Sequence, residues 1–270
     1  MAGSDRVFAG SIPEIYEKYL VPLLFVPYAN DLANRVAARS PRRVLEVAAG
    51  TGVVTRAMAS TLPGFVDIVA TDLNQPMLDQ AAALGTSRPV EWRQADALEL
   101  PFPDASFDAV VCQFGVMFFP DKARAFTEFR RVLRPRGTLI FNVWDRIEAN
   151  DFAATVTAAL ATLYPDDPPR FLVRTPHGYS EYASIGRDLL AGGFAAPPEF
   201  IKRAERSCAP SAREPAVAFC QGTPLRSELE ARGAAPLEEA TEAAAEQIAK
   251  RFGRDSVEGR MQAHVVIIER

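Results

Sequence analysis

The stretch Val44-Leu45-Glu46-Val47-Ala48-Ala49-Gly50-Thr51-Gly52 decides the fold of this sequence. Its apolar start predicts a short buried strand, and a helical pattern follows over residues 53–60. Glycine in a tight strand-to-helix turn lets the backbone approach a ligand, which is how α/β folds hold cofactors at the carboxyl edge of a sheet. Because glycine can also serve the geometry of the turn alone, the stretch has to be interpreted together with its neighbours.

The segment around this stretch, residues 42–143, alternates short β-rich apolar runs with helical ones. That alternation is typical of a parallel sheet built from βαβ units. We expect strands at residues 44–47, 66–70, 90–93, 107–112 and 138–144. Further helices are expected after Asn74, with Pro76 in the first turn, and after Asp121. The core of the chain is therefore predicted to be an α/β domain.

The remainder of the sequence follows a different pattern. After Asp145, helices at residues 152–163 and 180–191 and a strand at residues 199–206 predict an insertion over the sheet. A helical segment rich in alanine and glutamate then precedes a last strand at residues 264–269. No internal repeat is present.

The composition is that of an ordinary globular protein, with 48% hydrophobic and 24% charged residues among 270. The net charge is -4, and lysine and arginine are scattered rather than gathered into a stripe, which argues against nucleic acid as a partner. The three cysteines form no Cys-x-x-Cys pair, so no metal site is expected. No apolar stretch reaches the roughly 18 to 20 residues of a membrane span, and no signal-peptide pattern is seen. We expect a cytoplasmic protein.

Two acidic residues follow the second and third predicted strands. The Asp72 carboxylate is placed to accept both ribose hydroxyls of an adenosine-containing ligand, although it could also cap a helix. Asp96, in Ala95-Asp96-Ala97, is placed to receive an adenine amino group. A nicotinamide-binding turn would have a third glycine where Thr55 stands, which disfavours a nicotinamide-dependent oxidoreductase.

Five stretches together resemble the successive motifs of class I S-adenosylmethionine (SAM)-dependent methyltransferases. They are residues 44–52, Ala70-Thr71-Asp72, Gln94-Ala95-Asp96-Ala97, Phe107-Asp108-Ala109-Val110 and Val132-Leu133-Arg134-Pro135-Arg136-Gly137-Thr138-Leu139. The chain is similar to the group that includes the ubiquinone and menaquinone biosynthesis methyltransferases. The resemblance implies SAM as cofactor and a Rossmann-like, seven-stranded, mostly parallel sheet. That sheet would have a reversed last strand, helices on both faces and a helical lid or insertion after strand five.

The resemblance also implies the residues around the methionine end of SAM. Glu46 would anchor the first loop, while Ala48, Gly50 and Gly52 would let its backbone bend around the ligand. The family often has glycine where Ala48 stands, so this position departs from the pattern.

The adenosine end is implied in the same way. Asp72 would hold the ribose, Leu73 and Met77 would flank the adenine, and Asp96 and Ala97 would read its edge. The backbone around Gln113 and Phe114 would receive the methionine ammonium group.

The N-terminal segment, with Tyr16, Tyr19 and Tyr28, is similar to the helical lid of such enzymes. A tyrosine there would touch the cofactor, and Tyr19 is the residue we expect, although ordinary helix packing is the alternative. We expect a single methyltransferase domain with four parts: the lid (1–41), the SAM-binding half (42–145), an inserted cap and substrate region (146–235), and a final helix and strand (236–270).

Methyl transfer from a sulfonium is an in-line displacement, so the protein mainly aligns the reactants in a dry pocket. Some acceptors also need a general base, and His177 is the candidate, the alternative being a histidine that only packs in a turn. His264 opens the last strand and is expected to be structural. An Asn or Asp-Pro-Pro-aromatic tetrad is missing after strand four, which disfavours amino-base methylation.

We therefore expect SAM-dependent methyl transfer to a small-molecule acceptor through an oxygen, carbon or nitrogen nucleophile. Aromatic residues such as Trp144 and Phe152 could wall a hydrophobic acceptor pocket. A noncatalytic SAM-binding module is the alternative from another class, since cofactor motifs say nothing about turnover.

Overall fold

The computed structural model describes residues 3–233 and 237–270. Its centre is a seven-stranded sheet in the order β3-β2-β1-β4-β5-β7-β6. The strands are β1 (Arg43–Val47), β2 (Asp67–Asp72), β3 (Glu91–Gln94), β4 (Phe107–Gln113), β5 (Leu133–Trp144), β6 (Glu199–Ser211) and β7 (Asp255–Glu269). Strands β1 to β5 are parallel, while β7 runs antiparallel to both β5 and β6. The predicted Rossmann-like fold with a reversed last strand is confirmed.

Helices cover both faces of this sheet. They are α1 (Ile12–Ile15), a π-helical segment (Tyr16–Phe25), α2 (Val26–Ala37), α3 (Val53–Thr61), α4 (Gln75–Leu84), α5 (Lys122–Val132), α6 (Asp151–Leu163), α7 (Phe171–Arg174), α8 (Tyr182–Ala191), α9 (Arg213–Gln221), α10 (Leu225–Arg232) and α11 (Leu237–Phe252). One hydrophobic cluster packs α2 and α3 on the sheet, and a larger one joins α5, α6, α9 and α11 to its other face. No helix in the described ranges is long and apolar enough to cross a membrane.

Local sequence signals explain several helix ends. The side chain of Asp121 accepts a hydrogen bond of 2.8 Å from the backbone N–H of Arg124, which caps α5. Pro76 lies in the first turn of α4, where its missing N–H costs nothing. Gly52 is the N-cap residue of α3, and its φ of 83° is in the left-handed region that glycine adopts freely.

Three strands are longer than the sequence predicts by five residues or more. Strand β5 begins at Leu133 rather than at residue 138, because an irregular register opposite Phe107 and a φ of 68° at Arg136 accommodate the Arg-Pro-Arg-Gly stretch. Strand β6 continues to Ser211, and strand β7 already begins at Asp255. Both are longer because they pair with each other beyond the edge of the other strands. This β6–β7 extension is rich in polar residues, so hydrophobic periodicity does not reveal it.

Strand β6 falls within the predicted insertion, residues 146–235, and forms the edge of the central sheet. The predicted boundary between residues 235 and 236 lies outside the described residues, so the four-part division stays a prediction.

Candidate cofactor and acceptor site

A cavity opens at the carboxyl ends of the parallel strands, and most of the predicted site residues line it. Those that do are Ala48, Gly50, Asp72, Leu73, Met77, Asp96, Ala97, Gln113, Phe114 and His177. Ligands of α/β sheets bind at this edge because the connecting loops there leave a crevice. Glu46, Gly52 and Tyr19 are not among the lining residues.

The first loop is held in an unusual backbone conformation. Ala48, Gly50 and Gly52 all have positive φ, at 56°, 57° and 83°. The N–H of Gly50 donates a hydrogen bond of 2.8 Å to a carboxylate oxygen of Asp72, which ties this loop to the end of β2. A side chain at Gly50 would project toward Met77 and the Tyr16 hydroxyl, so glycine keeps that part of the cavity open.

Gly52 and Glu46 do not line the cavity but hold the loop in place through packing and a hydrogen bond. A Cβ at Gly52 would lie 2.9 Å from the Trp92 ring, so this glycine is required by helix-to-sheet packing. Glu46 is buried and accepts a hydrogen bond of 2.5 Å from the hydroxyl of Thr55. Burial raises the pKa of Glu46 to about 8, and the Thr55 hydrogen bond opposes that rise. Thr55 therefore joins β1 to α3 at the position where a dinucleotide-binding turn has its third glycine.

Asp72 presents its carboxylate at the cavity wall. Its second oxygen accepts a hydrogen bond of 2.8 Å from the N–H of Asn74. Burial raises the pKa of Asp72, while the N–H groups of Asn74 and Gly50 lower it. The oxygen bonded to the Asn74 N–H also accepts a longer hydrogen bond of 3.4 Å from the side-chain amide of Asn74, whereas the oxygen bonded to Gly50 keeps a lone pair that can accept a ribose hydroxyl.

The adenine side of the cavity combines apolar and acidic groups. Met77 is buried, Leu73 is partly exposed, and both line the wall. The exposed side chain of Asp96 accepts a hydrogen bond of 2.9 Å from the N–H of Leu98, which fixes the turn after β3. This arrangement suits a flat ring with a polar edge.

Gln113 ends strand β4, Phe114 follows it, and both line the cavity. The side-chain oxygen of Gln113 is buried and has no hydrogen-bond partner within residues 3–233 and 237–270. Phe114 has a φ of 51°, which is strained for an aromatic residue, and its N–H donates a 2.9 Å hydrogen bond to the side-chain oxygen of Asn142. The Phe114 ring stacks on Trp144 with centroids 3.8 Å apart and planes at 6°. The unpartnered side-chain oxygen of Gln113 and the stacked rings of Phe114 and Trp144 therefore belong to residues that line the same cavity.

His177 lies at the far wall and is 9% exposed. Its Nδ1 lies 2.8 Å from the backbone carbonyl oxygen of Asp145. Burial lowers the pKa of His177 to about 4, so the ring is neutral near pH 7. His264, by contrast, bonds to Tyr182 and to the Asp145 carboxylate and does not line the cavity.

The lid tyrosine that lines the cavity is Tyr16, whereas Tyr19 packs at the edge of the core with Lys18 over its ring. Tyr16 stacks on Phe25, and burial raises its pKa, so the phenol stays protonated. Trp144 and Phe152, which the sequence suggested as walls of an acceptor pocket, line the cavity together with Phe118. The apolar lining residues that the sequence did not single out are Leu20, Leu24, Phe171, Leu172, Phe219 and Met261.

These residues fit SAM by their chemistry. The unpartnered oxygen of Gln113 can accept from an ammonium group, and the space at Gly50 admits a ligand chain next to the loop. Asp72 offers acceptors for a ribose, and Met77 offers an apolar face for a base. No group of three or more His, Cys, Asp or Glu side chains in the described part of the chain is placed to hold a metal ion.

Known proteins with similar sequences share this part of the chain. Residues 45–141 match a family model described as a methyltransferase domain. The ubiquinone/menaquinone biosynthesis C-methyltransferase UbiE of Pseudomonas aeruginosa is 31% identical over 203 residues, which are 70% of this chain and 75% of that protein. The demethylmenaquinone methyltransferase of Deinococcus radiodurans is 43% identical over 110 residues, 40% of this chain and 45% of that protein. The match to this second relative thus spans about half of its length.

Solved structures show the same fold. The YcgJ protein of Bacillus subtilis superposes with a TM-score of 0.56 at 19% identity, covering 90% of this chain and 98% of that one. At this identity the likeness concerns the fold alone. The comparisons favour neither a nicotinamide-dependent oxidoreductase nor a noncatalytic module. The chain belongs to the class I SAM-dependent methyltransferases of the ubiquinone/menaquinone biosynthesis type, and its cofactor is SAM.

Proposed function

We propose that this chain methylates a ring carbon of a small apolar acceptor, a reduced quinone or a compound with a similar hydroxylated aromatic ring. The observation that carries the proposal is that one cavity holds the SAM motif residues, an apolar wall and the neutral imidazole of His177. The names of the two relatives supply the acceptor class. The same proposal includes a small-molecule partner rather than nucleic acid, which the net charge of -4 supports. It also includes a cytoplasmic location, which the three free cysteines support.

The apolar walls would hold the ring and keep water out. Phe152, Phe171 and Met261 come from three different elements and close the space beyond Gln113. A closed apolar pocket favours an uncharged aromatic ring, and a few polar groups in it set the orientation of that ring. Gln113 and Tyr16 are such groups here.

When bound, SAM supplies the methyl group as an electrophile. The residues of the chain would position the acceptor carbon in line with it, and such alignment contributes on the order of 7–11 kcal/mol. Once the ring carbon is methylated it carries an acidic proton, which must leave to restore the aromatic ring. His177 would take that proton on Nε2. A base whose pKa is lowered to about 4 suits an acidic C–H proton better than a weakly acidic hydroxyl.

The proposal is tested by incubating the purified chain anaerobically with SAM carrying a trideuterated methyl group and a short-chain demethylnaphthoquinol. Mass spectrometry should show one deuterated methyl group on the ring carbon, with an equivalent of S-adenosylhomocysteine. Transfer to the ring hydroxyl, or none at all by a protein that binds S-adenosylhomocysteine, would contradict the acceptor assignment.

A further inference from the structure

Residues 5–11 lie against the cavity, and we call this segment the strap. Two of its side chains, Arg6 and Phe8, line the cavity. The Phe8 ring meets Tyr16 edge-on at 6.1 Å and Phe118 at 5.9 Å between centroids. The strap therefore packs directly on the π-helical segment and on the loop after β4.

One end of the strap is fastened by a buried ion pair. Asp5 is 1% exposed, and its two carboxylate oxygens receive hydrogen bonds of 2.6 and 3.1 Å from the guanidinium of Arg174. The hydroxyl of Thr175 donates a third, of 2.7 Å. Arg174 also pairs with Glu228 at 2.6 Å, and Glu228 accepts from the N–H groups at the start of α7. These contacts join the strap to the cap across 169 residues of sequence.

The strap also contacts the cofactor loops. The N–H of Phe8 donates a hydrogen bond of 3.2 Å to the side-chain oxygen of Asn74. The N–H of Asn74 in turn donates to Asp72, the carboxylate assigned to the ribose. Only two hydrogen bonds therefore separate the strap from the ribose position.

A pivot lies at the other end of the strap. Gly10 has a φ of 65°, and no atom lies within 4 Å of the position that a Cβ would take. Just beyond it, the hydroxyl of Ser11 accepts a hydrogen bond of 2.7 Å from Arg226, and α1 begins at Ile12. Rotation at Gly10 can lift residues 5–9 while α1 stays in place, because glycine crosses between backbone regions at little cost.

We propose that Asp5 is a positioning residue that latches the strap over bound SAM, and that the latch opens each time S-adenosylhomocysteine leaves. The inference depends on the cofactor assignment made above. Arg174 is 32% exposed, so water can replace its contacts and the latch can break without unfolding the cap. Release of the product is then limited by the opening of the latch rather than by contacts with the cofactor alone.

The test measures the dissociation rate of S-adenosylhomocysteine by stopped flow in the wild-type chain, Asp5→Asn and Asp5→Glu. We expect Asp5→Asn to dissociate about tenfold faster, because it loses a charge-assisted bidentate pair, and Asp5→Glu to recover part of the difference. Glu238→Gln is the matched control, since it weakens an exposed ion pair with Arg213 far from the strap in sequence.

Limited trypsin cleavage after Arg6 gives an independent readout of the closed strap. S-adenosylhomocysteine should slow this cleavage in the wild-type chain but not in Asp5→Asn. Equal dissociation rates and equal protection in both proteins would overturn the latch. If Asp5→Asn does not fold, Arg174→Lys keeps the charge but breaks the bidentate geometry, and the same two outcomes apply. Failure of the wild-type chain to bind S-adenosylhomocysteine would instead overturn the cofactor site.

Discussion

The Nδ1 atom of His177 lies 2.8 Å from the backbone carbonyl oxygen of Asp145. A carbonyl oxygen can only accept, so Nδ1 carries the proton of the neutral ring and Nε2 carries a lone pair. Asp145 directly follows β5, and His177 lies in the cap. The backbone carbonyl at the end of a sheet strand therefore fixes the tautomer of this histidine. The Asp145 carboxylate is occupied separately, by His264 and Gln262.

We predict that His177→Gln lowers kcat by roughly 10²- to 10⁴-fold, the usual effect of losing a general base. The affinity for S-adenosylhomocysteine should stay within about twofold, because the imidazole is assigned to the acceptor and not to the cofactor. Steady-state kinetics with the quinol acceptor and calorimetric titration of the product check the two parts. A parallel loss of both would indicate that His177 only packs.

The buried imidazole also predicts a pH dependence of stability. The folded-state pKa of His177 is about 4, below the usual 6.5, so the unfolded chain binds more protons between those values. The free energy of unfolding should therefore fall as the pH drops from 6.5 toward 4, by a few kcal/mol at most. Denaturant titrations at several pH values should show a shallower dependence in His177→Gln. Identical slopes would mean that the ring is hydrated in the native state.

Most residues that the sequence assigns to the cofactor half line one cavity, because the determinants of this part of the fold are local. Strands, turns and acids within residues 42–145 follow one another at short spacing, and Asp72 and Ala97 both line the cavity. The lid is different. It is π-helical over Tyr16–Phe25, with i→i+5 hydrogen bonds instead of the usual i→i+4, so a period of 3.6 residues does not describe its faces. Tyr16 lines the cavity and Tyr19 does not, and the sequence held no local signal to choose between them.

The acceptor half depends on contacts between distant parts of the chain. Asp5 and Arg174 are 169 residues apart, and the pairing that extends β6 and β7 joins residues more than 40 positions apart. Such contacts leave no periodic pattern in the sequence. Gln113, by contrast, directly follows the apolar run predicted as strand four, and the family resemblance assigned the backbone around it to the methionine ammonium group.

Asp72 gives a prediction for cofactor affinity. Asp72→Asn should weaken binding of S-adenosylhomocysteine by at least tenfold, because a neutral amide replaces a charged acceptor for the ribose hydroxyls. Asp72→Ala should weaken it further, since it also frees the N–H groups of Gly50 and Asn74. Asp67→Asn, at the exposed start of the same strand, is the matched control. Thermal-shift titration measures all three, with NAD expected to give no shift in any of them.

If Asp72→Asn binds like the wild type, the ribose assignment is wrong. Stabilisation of the wild-type chain by NAD would contradict the cofactor assignment as a whole.

Ala48 gives a prediction for stability. Its φ of 56° is left-handed, a region that costs a residue with a Cβ roughly 1–2 kcal/mol. Ala48→Gly should therefore raise the free energy of unfolding by about 1 kcal/mol, even though glycine adds entropy to the unfolded chain. The neighbouring Ala49 is buried without positive φ, so Ala49→Gly should lower it by a similar amount. Urea unfolding of both variants measures the contrast, and a destabilised Ala48→Gly would show that the Ala48 methyl group, packed against Gly115, contributes more than its backbone strain costs.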